Sequence, residues 1–269
     1  MNRIDAKFKE LGERNEPAFI PFITAGDPNL AATKALIVEF DKRGADMIEL
    51  GVPFSDPIAD GPVIQSSYYR ALSGGIKLSN VLELVKSVRK KSEIPIVAMI
   101  SHSILYKNGC VNFIENAVKA GLDGATIPDL PVEEAEDIIE VGKREEFKII
   151  CFIAPTTTDS RMELIAKKSQ GFLYYISVVG ITGARSELSD DIKKNIQNIK
   201  RKTDLPIALG FGISTPEQAR MAGKIADGVI VGSAIMREID KYRNQDGDLL
   251  VKKVGQFVGE LVNSTKNQN

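Results

Sequence analysis

The chain has 269 residues and a formal net charge of −1, with acidic and basic residues interleaved along its length. Apolar residues make up 43% and charged residues 26%, ordinary globular usage that excludes a disordered or collagen-like chain and supplies a sizeable core. No basic stripe can neutralise a phosphodiester backbone, and no apolar run reaches the roughly 18 residues of a membrane span, which argues against nucleic-acid and membrane partners.

Met1 opens a charged amphipathic segment, not an apolar signal core. Cys110 and Cys151 are the only cysteines, so neither a disulfide framework nor a zinc site is spelled out, and two reduced thiols in a cytoplasmic protein are expected. The basic clusters Arg89-Lys90-Lys91 and Lys200-Arg201-Lys202 fall at the ends of predicted helices, where cations complement the helix dipole.

In chain order, residues 3–14 read as an amphipathic helix before the first strand, at 18–24. A helix at 30–43 follows. The second strand, 47–50, leads into a longer unit with two helices, 62–72 and 78–90. Strand 94–100 precedes helix 111–120, and strand 124–128 precedes helix 132–144. Strands 148–153 and 171–177 are followed by helices 161–168 and 190–202. Strand 206–210 leads to helix 216–221, and strand 228–231 to a helix from 234 onward. The polar tail 264–269 is expected to fray.

These strands are nearly continuous apolar runs without hydrophobic–polar alternation, as burial on both faces of a helix-covered parallel sheet requires. Eight such units without an internal linker predict one domain over 1–269. The expected fold is α/β: a single (β/α)8 TIM barrel whose extra N-terminal helix covers the floor. An open doubly wound sheet is the alternative. In such barrels the chemistry sits on loops leaving the C-terminal strand ends.

Three Gly-rich turns follow the last three strands: Gly180-Ile181-Thr182-Gly183, Gly210-Phe211-Gly212-Ile213-Ser214 and Gly232-Ser233-Ala234. Glycines let backbone approach a ligand closely, and free N–H groups at a helix start bind anions, so a phosphate-binding type of barrel is expected. Ser214 or Thr215 can also simply cap the next helix, with Pro216 in its first turn.

Glu49 stands within Met47-Ile48-Glu49-Leu50-Gly51, at the end of the second strand. A carboxylate in an apolar strand is costly unless paired, hydrogen-bonded or functional, and desolvation would raise its pKa into the range of an acid/base catalyst. A structural carboxylate satisfied by backbone donors is the other reading. The proline-rich loop that follows brings Asp56 and Asp60 to the same mouth. Asp60 can accept a ligand N–H, while Asp56 either joins the site or sets the turn before Pro57.

The stretch Glu49-Leu50-Gly51-Val52-Pro53-Phe54-Ser55-Asp56-Pro57, with Ala59-Asp60-Gly61-Pro62 and Gln65, resembles the motif of the tryptophan synthase α family. Pro21-Phe22-Ile23-Thr24-Ala25-Gly26-Asp27-Pro28, Pro128-Asp129-Leu130-Pro131, Gly180-Ile181-Thr182-Gly183 and Gly210-Phe211-Gly212-Ile213 recur in family order over residues 3–262. The resemblance implies retro-aldol cleavage of indole-3-glycerol phosphate to indole and glyceraldehyde 3-phosphate. It implies Glu49 as general acid/base, Asp60 as acceptor of the indole N–H, and Tyr174 beside them. Gly183, Gly212, Gly232 and Ser233 would hold the phosphate, Thr182 would also contact the substrate, and Phe22, Met99, Ile127, Phe211 and Ile230 would sandwich the indole ring. It also implies a β-subunit partner in an α2β2 assembly, with pyridoxal phosphate in that partner and no cofactor in this chain.

One departure stands out. Where many family members have Tyr-x-Asn after the third strand, this chain has Ser101-His102-Ser103. His102, the only histidine, is either an extra acid/base or a loop residue. No lysine occupies a predicted strand end, against Schiff-base chemistry, and one histidine is too few for the usual metal-dependent aldolase. Residues 178–188 are expected to form a mobile lid. Another phosphate-binding barrel enzyme, or an inactive barrel that activates a β subunit, are the competing readings.

Overall fold

The computed structural model describes residues 1–58, 60–176, 190–210 and 212–267. Eight parallel strands close into a barrel in sequential order, which settles the barrel against the open sheet. The strands are β1 (Ala18–Thr24), β2 (Ile48–Gly51), β3 (Ile96–Met99), β4 (Gly124–Thr126), β5 (Lys148–Ile153), β6 (Leu173–Ile176), β7 (Ile207–Gly210) and β8 (Gly228–Val231). All seven positions of β1 are buried, as its nearly continuous apolar sequence requires.

The first half of the outer layer holds α1 (Arg3–Arg14), α2 (Leu30–Lys42), α3 (Pro62–Ser73), α4 (Leu78–Arg89), α5 (His102–Asn108) and α6 (Cys110–Ala120). The second half holds α7 (Glu136–Arg144), α8 (Asp159–Lys168), α9 (Asp190–Lys200), α10 (Pro216–Gly223), α11 (Ser233–Tyr242) and α12 (Gly247–Lys266).

The extra helix α1 closes the floor. Its Ile4, Phe8 and Leu11 pack with Ala18, Ile20, Met47, Val97, Ile150, Phe172, Ala208 and Ile230 in one interior cluster. The Phe8 and Phe172 rings lie 5.5 Å apart. The barrel is therefore filled from below by apolar side chains.

Strand entry follows a repeated rule. Asp46, Asp123 and Asp227 each precede an even-numbered strand and accept a backbone N–H at the start of the preceding odd one: Phe19 at 2.9 Å, Ile96 at 2.8 Å and Ile207 at 2.9 Å. Gln170, before β6, does the same for Ile149 at 3.2 Å. Each side chain satisfies a donor that would otherwise be buried unpaired.

Four expectations need correction. The third strand begins after Pro95, which has no N–H to give to a ladder. The predicted helix 132–144 divides into a 3-10 turn, Val132–Glu134, and α7. The helix from 234 onward is two helices, with Asp246 capping the second. Residues 264–266 do not fray: they complete α12, and buried Thr265 donates to the Leu261 carbonyl at 2.8 Å. Thr215 caps α10 as expected, its hydroxyl accepting from the Gln218 N–H at 3.2 Å.

Candidate active site

Glu49 points into the barrel one residue pair below the mouth, in register with Phe22 of β1 and Val97 of β3. Its carboxylate is buried at 2% exposure. Thr126 Oγ1 donates to Glu49 Oε1 at 3.1 Å, and Tyr174 Oη reaches Oε2 at 3.4 Å. Burial outweighs these two donors and, with the charge of Asp60 adding, raises the pKa of Glu49 to about 7. A carboxyl poised there can give and take a proton near neutrality.

Asp60 lies on the loop between β2 and α3, its carboxylate raised to about 6 by burial and by the neighbouring charge of Asp129. The loop is braced by Gln65, whose side-chain amide donates to the carbonyls of Asp60 at 2.8 Å and Pro57 at 3.3 Å. A cavity of about 240 Å³ opens beside Asp60, lined in part by Val52, Phe54, Met99, Ser101 and Asp129. Asp56 also lines it but is exposed and accepts from Ser55 Oγ at 2.6 Å, which suits a turn-setting residue.

Two glycines shape the mouth. A Cβ on Gly51 would lie 2.6 Å from Phe22 Cζ and 2.9 Å from Tyr68 Oη. One on Gly210 would lie 2.5 Å from Tyr174 Cε2. Both strand ends are thus glycine because aromatic rings lie across them. Tyr174 is further held by Phe152, the ring centroids 4.9 Å apart.

Most of the expected residues converge on this end of the barrel. Glu49, Phe22, Tyr174 and Ile230 project into the barrel, and Met99 lines the cavity. Gly212, with φ +80°, follows β7, and Gly232 and Ser233 open α11 after β8. A Cβ on Gly232 would touch Phe22 at 3.4 Å, so the candidate phosphate turn adjoins the apolar wall. Thr182, Gly183, Phe211 and the expected lid at 178–188 lie outside the described residues.

Ile127 stands apart from the others. It sits one residue beyond β4 and lines a separate cavity of about 350 Å³ toward Val132 and Ile165. Thr126, which no sequence motif marks, is the inward residue that holds Glu49. Only strand parity could have signalled it, and β4 has three residues. His102 stands at the start of α5, its backbone N–H donating to Asp129 at 2.7 Å and its ring 6.3 Å from Tyr106. Ser101 and Ser103 line the Asp60 cavity while His102 is absent from its lining, which favours the loop reading. Among the described residues no group of three or more His, Cys, Asp or Glu side chains could hold a metal ion, and no helix is long and apolar enough to cross a membrane.

The sequence profile of the family described as "Tryptophan synthase alpha chain" matches residues 8–266. The tryptophan synthase alpha chain of Geotalea uraniireducens is 45% identical over 261 residues, 97% of each chain. The crystal structure of tryptophan synthase subunit alpha from Legionella pneumophila superposes with a TM-score of 0.91 at 36% identity, covering 99% of each chain. A chain from the tryptophan synthase a2b2 complex of the hyperthermophile Pyrococcus furiosus gives 0.83 at 39% identity, over 90% of this chain and 98% of that one. A closed parallel barrel, a buried carboxyl at the end of its second strand and likeness over nearly the whole length agree: the chain belongs to the tryptophan synthase alpha chain family.

Proposed function

We propose that Glu49 and Asp60 carry out the retro-aldol cleavage of indole-3-glycerol phosphate to indole and glyceraldehyde 3-phosphate. The observation that carries this assignment is the Glu49 carboxyl, buried at the barrel mouth between Thr126 and Tyr174 with a pKa near 7 and the Asp60 charge close by.

Protonated Glu49 delivers its proton to indole C3. The ring nitrogen gains positive character, and the Asp60 carboxylate stabilises it by accepting the N–H. Glu49, now ionised, takes the proton of the hydroxyl on the adjoining glycerol carbon. A carbonyl forms there, the bond from C3 to that carbon breaks, and its electron pair neutralises the ring nitrogen. Glu49 ends protonated, ready for another turnover. Positioned proton transfer of this kind typically contributes roughly 10²–10⁴-fold.

Phe22, Met99, Tyr174, Ile230 and Phe211 would hold the indole ring. Gly212, Gly232 and Ser233, with Thr182 and Gly183, would hold the phosphate, supported by the N-terminal end of α11. The Pyrococcus furiosus relative is part of an a2b2 complex. On that likeness the chain pairs with a β subunit, which receives the indole and carries pyridoxal phosphate, while this chain works without a cofactor. One domain over 1–269 in the cytoplasm completes the reading, and the free thiols of Cys110 and Cys151 fit a reducing compartment.

Indole release from indole-3-glycerol phosphate, measured with and without a β subunit beside Glu49→Gln, tests this. Turnover that the substitution lowers by orders of magnitude supports it. Turnover undiminished in Glu49→Gln refutes the role of Glu49, and no turnover alongside intact β-subunit binding would favour the activating barrel.

A further inference from the structure

Tyr68 belongs to α3, yet its side chain is only 3% exposed and lines the same cavity as Asp60, Met99, Ser101 and Ser103. Its hydroxyl lies 2.9 Å from where a Cβ on Gly51 would stand, two residues beyond Glu49 on the same strand. Both Asp60 and Glu49 act on it electrostatically, so it sits within reach of each carboxylate's field.

That hydroxyl makes no hydrogen bond among the described residues, and no fully enclosed side-chain polar atom there lacks a partner. Its oxygen therefore opens onto the cavity. A buried tyrosine hydroxyl normally finds a partner, and one that opens onto the cavity beside Asp60 is placed for a ligand.

The ring is held firmly. On one side Ser67 Oγ and Thr24 Oγ1 share a buried hydrogen bond of 2.6 Å. On the other, Arg70 grips buried Asp27 at 2.9 and 2.7 Å. Residues 67 and 70 thus pin α3 to the end of β1 on both sides of Tyr68, the preorganisation a binding residue needs. Across the cavity the loop after β3 presents Ile100, Ser101 and Ser103.

We propose that Tyr68 is a substrate-contacting residue: its ring forms part of the cavity wall, and its hydroxyl donates to an oxygen of the substrate's glycerol chain. The inference rests on the lyase reading. The glycerol chain is the part of the substrate that passes Glu49 and carries hydroxyl oxygens, whereas indole has none to accept the bond.

The test compares Tyr68→Phe with the parent and with Tyr69→Phe, a change at the exposed neighbour on the same helix, all with a β subunit present. In Tyr68→Phe, kcat/KM for indole-3-glycerol phosphate should fall about tenfold, the size expected for one lost hydrogen bond. Affinity for indole itself should stay within about twofold, because the ring wall remains and indole has no glycerol oxygen. Tyr69→Phe should match the parent. Parent-like kcat/KM in Tyr68→Phe, or an equal loss of indole affinity, overturns the inference while leaving the lyase reading standing. A parent that forms no indole overturns both.

Discussion

Arg70 holds Asp27 through two parallel hydrogen bonds, from Nε at 2.9 Å and from one terminal nitrogen at 2.7 Å, while its other terminal nitrogen meets Asp240 at 3.2 Å. One guanidinium thereby ties the loop after β1, the helix behind the Asp60 loop and the helix that opens at the candidate phosphate turn. Asp27 is fully buried and Arg70 largely so. Arg70→Met should therefore strand a buried carboxylate and cost about 2–4 kcal/mol of folding stability. Arg70→Lys should recover only part of this, since an ammonium cannot make the paired contact. Urea unfolding midpoints of the three proteins decide it, and equal midpoints would refute the clamp.

The two acidic groups of the site predict a narrow pH optimum. Burial raises Asp60 to about 6, and burial together with the charge of Asp60 raises Glu49 to about 7. The working form has Asp60 ionised, to stabilise the ring cation, and Glu49 protonated, to deliver the first proton. The profile of kcat/KM should then be a bell with apparent limbs near 6 and 7 that belong to the coupled pair. A profile flat from pH 5 to 9 would contradict the assignment.

The same shift affects stability with a definite sign. Between pH 4.5 and about 7 the folded chain keeps the Glu49 proton that the unfolded chain has released. Stability must fall as pH rises through that interval. Glu49→Gln removes the penalty, so the variant should exceed the parent by on the order of 3 kcal/mol above pH 7 and match it below pH 4.5. Denaturation at pH 4 and pH 8 measures the difference, and a parent that is the more stable at pH 8 would rule the argument out.

Gly51→Ala probes the crowding at the mouth. Its methyl would lie 2.6 Å from Phe22 Cζ and 2.9 Å from Tyr68 Oη, so both rings must move. Overpacking of this kind costs roughly 1–3 kcal/mol. The effect on kcat/KM should exceed that on stability, because both rings face the proposed substrate. Steady-state kinetics with the folded variant checks this, and unchanged kcat/KM would show that the rings lie away from the substrate.

The architecture was largely legible because parallel strands buried on both faces have a distinctive composition and glycine and proline mark their ends. Glu49 was legible for the complementary reason, as the one carboxylate inside an apolar strand. What escaped notice depends on partners distant in sequence. Helix α5 has only seven residues, and its start is stabilised by Asp129, which accepts from Ser101 Oγ at 2.6 Å and from the His102 N–H. Thr126 could not be distinguished from Ile127 without the strand register. Tyr68 reads in sequence as one apolar position of an amphipathic helix, and only the approach of Gly51 reveals its place at the site. In the tail, the spacing of Val258, Leu261, Val262 and Thr265 continues the buried face of α12 despite the polar composition around it.

The floor of the barrel offers a contrast to its mouth. Asp123 accepts from the Ile96 N–H at 2.8 Å, from Arg89 at 2.9 Å and from Arg3 at 3.0 Å, all at the end remote from Glu49. Arg89 is itself mostly buried and also donates to the carbonyls of Gly121 and Ile94. Asp123→Ala would leave a buried guanidinium without its counter-charge and a strand N–H without an acceptor. Their joint cost should be about 3–5 kcal/mol. Because the network touches none of the proposed catalytic groups, kcat/KM of the still-folded fraction at low temperature should stay within about twofold of the parent. A stability loss below about 1 kcal/mol would mean that water replaces the carboxylate at the barrel floor. A comparable loss of kcat/KM would instead show that strand entry and the acid/base site are coupled through β3, whose Val97 is in register with Glu49.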